Sequence, residues 1–166
     1  MATNRIVNRP AFRIAGLQAY ISGPDTTQFG RFWQTCHGEG LFTRFEALTQ
    51  MQPGVQTGGV VLGVSRVEAD PARRDFYYLI GVELPDALAS DAPALAGLEI
   101  ATAPAGTWAI FDAQGPVPDA IVAAEMFAFG QWLPTSGYRH ALAPEMEVYL
   151  PGENRCEFWL PVIAAE

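Results

Sequence analysis

Close to the C-terminus, acids and aromatic rings alternate along two short runs. Glu145 to Leu150 (EMEVYL) and Cys156 to Ile163 (CEFWLPVI) flank Pro151-Gly152-Glu153-Asn154, so they read as a β-hairpin. Successive residues of a strand point to opposite faces. In the first run Glu145, Glu147 and Tyr149 share one face, and Met146, Val148 and Leu150 the other. In the second, Phe158, Leu160 and Val162 form an apolar face suited to packing on helices, leaving Glu157, Trp159 and Pro161 opposite. The pattern predicts Glu147, Tyr149, Glu157 and Trp159 together on the sheet surface turned away from the helices. Tyr77 takes the place of Glu157 in an earlier, matching strand. Carboxylates interleaved with rings suit an organic cation: the rings supply area and cation–π attraction, and the carboxylate supplies countercharge. A pocket carboxylate can also act as general base toward water, which would make Glu147 the catalytic residue of a hydrolase. The same alternation equally fits a solvated sheet face, where glutamates are ordinary. Tyr20, Trp108 and Trp132 complete the aromatic candidates, although pattern alone assigns them to the core.

These residues need a scaffold, and the chain reads as two similar halves. Phe12 to Ile21 (FRIAGLQAYI) is a strand that stops at Ser22-Gly23-Pro24, with Asp25 and Thr26 as N-cap residues for a helix. Phe29, Phe32, Trp33 and Cys36 form its apolar stripe, and it ends near His37-Gly38. A second helical piece, LFTRFEALTQM, precedes Pro53-Gly54. Val60 to Val67 and Phe76 to Leu84 then form a hairpin around a polar loop that contains Arg73-Arg74. The order recurs: a strand over Thr107 to Ala113 stops at Gln114-Gly115-Pro116, and a helix starts near Pro118-Asp119. Val122, Met126, Phe129 and Leu133 make its apolar stripe, and the Glu147 hairpin follows. The expected architecture is α+β: two βαββ repeats related by a pseudo-twofold axis. Their antiparallel sheets carry helices on one face, with a ligand cleft between the halves. Half one covers about 12–84, a connector rich in Ala, Pro and Asp about 85–105, and half two about 106–163. Residues 1–11 read as a loose N-terminal arm.

Composition narrows the chemistry. Ten basic against eighteen acidic residues give a net charge of −8, and no basic cluster exists to displace counterions from phosphates. Direct nucleic-acid binding by this chain is therefore not expected. Every basic residue is arginine, which excludes a Schiff-base lysine, a P-loop and a protein-kinase site. Cys36 and Cys156 form no CxxC motif and read as reduced core thiols. His37 and His140 show no metal-ligand spacing, so neither metal nor cofactor is expected. No run approaches the length of a membrane span, and a cytoplasmic protein is the default expectation.

The ordered segments GTWAIFDAQGP (Gly106 to Pro116), QWLPTSGY (Gln131 to Tyr138), EMEVYLPG (Glu145 to Gly152) and FWLPV (Phe158 to Val162) resemble the GyrI-like, or AraC-type effector-binding, domain family. FRIAGLQ and YYLIGVEL extend the resemblance to the first half in outline. It implies a duplicated βαββ fold with a central pocket for lipophilic cationic drugs, in drug response or transcription regulation. Other family activities are gyrase inhibition and hydrolysis of cyclopropanoid toxins. By this resemblance Glu147 is the pocket glutamate. Trp108, where tyrosine is more usual, and Trp159, Tyr149 and Glu157 carry over as further ligand contacts. No DNA-binding helical segment precedes residue 12, and a start at Met1 fits a stand-alone member. A separate protein partner stays open, and acidic capping of a topoisomerase is one form of it.

Overall fold

The two Gly-Pro stops end a strand where the sequence places them. In the computed structural model, which describes residues 4–51, 54–72 and 75–166, β2 (Phe12–Ile21) stops before Gly23-Pro24 and β6 (Gly106–Gln114) before Gly115-Pro116. Pro53 and the Arg73-Arg74 pair lie outside the described residues. After β2 come α1 (Thr27–Gly38) and α2 (Leu41–Met51), then the hairpin β3 (Val61–Arg66) and β4 (Phe76–Leu84). After β6 come α3 (Asp119–Phe127), which runs on through a π turn at Ala128–Trp132, and β7 (Tyr138–His140). The second hairpin, β8 (Glu145–Tyr149) and β9 (Arg155–Ala164), closes the chain.

Two further strands precede the halves. Residues expected to form a loose arm are β1 (Asn4–Arg9), paired along β6 with Val7 opposite Trp108. The connector contains β5 (Glu99–Ala103), paired along β2. Neither segment alternates strongly enough to announce itself: β1 is mostly exposed, and the buried positions of β5 are the small side chains Ala101 and Ala103. All pairings are antiparallel, and the strand order is β1-β6-β9-β8-β3-β4-β2-β5, with β7 on the end of β9. This order is symmetric about the β8–β3 seam: β8, β9, β6 and β1 on one side match β3, β4, β2 and β5 on the other. The strand leading into each half pairs with the outer strand of the other half, which ties the repeats together.

One sheet face closes on itself. Phe12 of β2 and Trp108 of β6 are separated by four strands, yet their ring centroids lie 6.4 Å apart. Around them Ile14, Leu62, Val64, Leu79, Met146 and Trp159 form a buried core that no helix covers. The opposite face carries α1 and α2 over half one and α3 over half two, each on its own apolar cluster. The α1 stripe Phe29, Phe32, Trp33 and Cys36 packs down as expected. In α3 and the π turn after it the buried positions are instead Ile121, Ala124 and Ala128, whereas Val122 is 47% and Met126 70% exposed. This helix is apolar nearly all round, so hydrophobicity alone did not fix which side faces the sheet.

Cys36 and Cys156 are free and buried, and burial pushes both thiols up to about 11. Buried Glu83 accepts hydrogen bonds from the backbone of Gln56 (3.0 Å) and from the backbone and hydroxyl of Thr57 (2.6 and 2.8 Å), which clamps that loop onto the sheet. Among the described residues no helix is long and apolar enough to cross a membrane.

Gly16 lies opposite Gly81 where β2 meets β4, and a Cβ at Gly16 would run into the Ile80 carbonyl. Backbone cannot swing aside as a side chain can, so Gly16→Ala should destabilise by about 1–3 kcal/mol. Gly30→Ala, in open space on α1, should stabilise by about 0.5–1 kcal/mol. Urea unfolding of both variants checks the opposite signs.

Candidate functional site

The seam between the halves brings one acid under two tyrosines. β3 pairs with β8 so that Gly63 lies opposite Glu147, and β8 pairs with β9 so that Glu147 lies opposite Phe158. Phe158 faces the helices, and therefore so does Glu147. The Tyr78 hydroxyl of β4 donates to Glu147 Oε1 at 2.5 Å, and the Tyr149 hydroxyl donates to the same oxygen at 2.8 Å. Trp33 Nε1 of α1 donates in turn to the Tyr78 hydroxyl at 3.2 Å. The chain of donors thus runs from a helix, through a strand, to one carboxylate oxygen. Gly63 makes room for it, since a Cβ there would collide with both the Tyr78 hydroxyl and Glu147 Oε1.

Rings enclose this group. Trp33 stacks on Phe42 (5.9 Å) and meets Tyr149 edge-on (5.2 Å), and Phe29 meets Tyr78 edge-on (4.9 Å). Phe129 packs on Phe158 at 6.0 Å. The Leu142 N–H donates to His140 Nδ1, which leaves Nε2 to donate to Glu145 Oε2 at 2.9 Å. From α3, Glu125 bears on the Glu147 carboxyl and acts to lower its pKa. Next to this group, between α2 and the sheet, an open depression of about 390 Å³ is walled by His37, Phe42, Phe45, Glu46, Val82 and Tyr149. That volume is within the range of small-molecule sites.

Burial raises the Glu147 pKa above the usual 4.5. The hydrogen bonds from Tyr78 and Tyr149 and the effect of Glu125 oppose that shift, while the charge of Glu145 adds to it. Burial, then the neighbouring Glu147 charge, raises both tyrosines as well, so they remain neutral donors. Among the described residues no group of three or more His, Cys, Asp or Glu could hold a metal ion. The arrangement can present a polarised carboxylate, in an aromatic setting, to a group of opposite charge.

The structure separates the residues that strand alternation had grouped. Glu147 and Tyr149 face the helices; Glu157 and Trp159 lie on the other sheet face, with Trp108 5.7 Å from Trp159. The hairpin register explains the split: odd-numbered positions of β8 share a face with even-numbered positions of β9. Each strand's own alternation was read correctly, but their phases were joined wrongly. On the far face Glu157 is already satisfied, accepting from Trp159 Nε1 (3.1 Å) and Arg5 (2.9 Å), and the Arg9 guanidinium lies over the Trp159 ring. Tyr20 and Tyr77 form an exposed pair there, with centroids 5.1 Å apart. Trp132 is on the helix side but packs in half two, stacked on Tyr138 and edge-on to Phe111. Trp33, Gly63 and Tyr78 were not anticipated as site residues. Tyr78 was within reach of the sequence: it is the inward neighbour of Tyr77, and the same phase error hid it.

Comparison with known proteins agrees with the fold. The model of the family described as GyrI-like small molecule binding domain matches residues 3–163. Among solved structures, SAV2435 bound to tetraphenylphosphonium is similar over 97% of this chain and 94% of its own, at 20% identity and a TM-score of 0.76. The EcmrR C-terminal domain is similar over 99% of both chains, at 13% identity and a TM-score of 0.65. A hydrolase from Listeria innocua is similar over 96% of this chain and 91% of its own, at 13% identity and a TM-score of 0.56. At these identities the likeness is one of fold. No curated protein matches the sequence.

The raised Glu147 pKa makes stability depend on pH with a definite sign. Between 4.5 and the higher folded value, the native state holds a proton that the unfolded chain has released. This contribution is therefore fully present below 4.5 and is lost as pH rises through the folded value. Glu147→Gln removes the titration. In thermal melts from about pH 4.5 to 7, the stability difference between variant and parent should shift in the variant's favour as pH rises.

Proposed function

Because the chain belongs to the GyrI-like small molecule binding domain family, we propose that it binds an aromatic organic cation, with Glu147 as countercharge. One observation carries the reading: a buried carboxylate with two tyrosine hydroxyls on a single oxygen, enclosed by aromatic rings and next to an open depression of about 390 Å³ that Tyr149 lines. Two donors on Oε1 fix the carboxylate and share its charge. A hard, strongly hydrated cation would lose its water there with few oxygens to replace it. A delocalised cation flanked by aryl groups loses little hydration, gains ring contact with Trp33 and Tyr149, and still receives the full Coulomb attraction of a poorly solvated charge. SAV2435, which shares the fold, is seen with a cation of this kind, tetraphenylphosphonium. The role of the complex is then a drug-response or effector function, in which occupancy of the seam between the halves is the signal.

Calorimetric titration with tetraphenylphosphonium and with neutral triphenylphosphine oxide tests the countercharge. Glu147→Gln should weaken the cation by at least about tenfold, roughly 1.4 kcal/mol, and the neutral compound by less than about twofold. Equal losses for both compounds would show that Glu147 contributes shape and not charge.

A further inference from the structure

We propose that the open depression between α2 and the sheet is a second subsite, which cages a methylated ammonium centre with Glu46 as its countercharge. The ligand class is then a two-centre cation: an aryl-bearing cation at Glu147 joined to a quaternary ammonium in the depression. The inference rests on the cation reading above and adds to it a second charge and a second acid.

The sequence of α2 builds most of the wall. Phe42, Phe45, Glu46 and Thr49 recur at i, i+3, i+4 and i+7, and all four line the depression. An apolar stripe with an acid set inside it is what this helix turns toward the space. His37 at the end of α1 and Tyr149 of β8 add two more rings. The rings hold one another in place. His37 lies against Phe42 with centroids 4.2 Å apart, Phe45 meets Phe42 edge-on at 5.8 Å, and the far side of this group is anchored where Phe42 stacks on Trp33.

Charge is available at the mouth. Glu46 is exposed, and its carboxylate makes no ion pair among the described residues. The arginine of the same helix, Arg44, is turned to the Ala94 and Ala96 carbonyls at 3.0 Å each. Ring faces attract a cation through their quadrupole, and a carboxylate beside them supplies the opposite charge. A primary ammonium would have to give up water around three N–H donors in such a place. Methyl groups need only surface, which the rings provide.

Tyr149 joins the two subsites. Its hydroxyl donates to Glu147 at 2.8 Å, and its side chain walls the depression. A ligand held at Glu147 thus has the depression beside it, and the second contact forms without a second loss of translational freedom. The pair with Glu46 is weak alone because that carboxylate is solvated, and it is worth on the order of a few-fold in affinity. Two-point binding also makes affinity depend on the spacing between the charges. General attraction to a chain of net charge −8 has no such optimum.

The test uses alkanes that carry triphenylphosphonium at one end and trimethylammonium at the other, beside analogues in which tert-butyl replaces trimethylammonium. The two ends share size and shape and differ in charge. Calorimetry at low salt, over spacers of about three to ten methylenes, should show the ammonium end improving affinity at least about fivefold over tert-butyl at one spacer length, and less at shorter and longer ones. Glu46→Gln should bring that ratio to about twofold or less. Glu99→Gln, which removes the same charge from the β5 edge, should leave it as in the parent. If tetraphenylphosphonium binds but the ammonium end brings no gain, or the gain ignores spacer length, survives Glu46→Gln or falls equally in Glu99→Gln, the second subsite is wrong while the cation reading stands. If neither these compounds nor tetraphenylphosphonium binds the parent, the cation reading itself falls, and this inference with it.

Discussion

A carboxylate withdrawn from water must be compensated by its surroundings, and here the whole fold supplies the compensation at one point. Two hydroxyls donate to Oε1 of Glu147, one from the neighbouring position of its own face and one from two strands away. Charge-assisted hydrogen bonds of this type are worth about 1.5–3 kcal/mol each, and a buried carboxylate that loses them is left with most of its desolvation penalty. The distance between β4 and β8 must therefore be right, and β3, which runs between them, must present no side chain where the two groups meet. Gly63 meets that requirement. Much of the arrangement around it exists to bring this glycine, this acid and these tyrosines into one row.

The duplicated architecture makes such a row possible. Two βαββ units joined edge to edge place their helices on the same side of the sheet, on either side of the β8–β3 seam. The other side of the sheet curls until Phe12 meets Trp108, and Trp108 and Trp159 are buried there in a core that no helix covers. One face thus provides rigidity and the other holds the Glu147 network. The strand exchange, β1 onto β6 and β5 onto β2, fixes the halves relative to each other, so the seam holds its shape without a covalent link.

Much of this was legible in the sequence, and the illegible part has a physical reason. The Gly-Pro stops, the α1 stripe and both hairpins follow from local chemistry, and the internal repeat gives the architecture. Glu147 was found through its family motif and the alternation of its strand. Its partners were not, because alternation gives each strand two faces without saying which faces coincide; that depends on the register of Tyr149 against Cys156, set by how the turn between them closes. The same slip moved Trp159 and Glu157 into the site and put Tyr77 in place of Tyr78. The packed side of α3 was hidden differently: in an apolar helix a stripe of valine, methionine and phenylalanine outweighs one of isoleucine and alanine on any hydrophobicity count. Yet the smaller residues pack on the sheet, because they allow close approach.

The two sheet faces offer a cation two aromatic settings, Trp33, Tyr78 and Tyr149 around Glu147 on the helix side and Trp108 and Trp159 beside Glu157 on the other. The most direct test of the account is a crystal structure of the protein with tetraphenylphosphonium. The account places the cation on the helix side, its charged centre facing the Glu147 carboxyl and its rings against Trp33 and Tyr149. A cation seated beside Trp159 and Glu157, with the Glu147 network undisturbed, would contradict it.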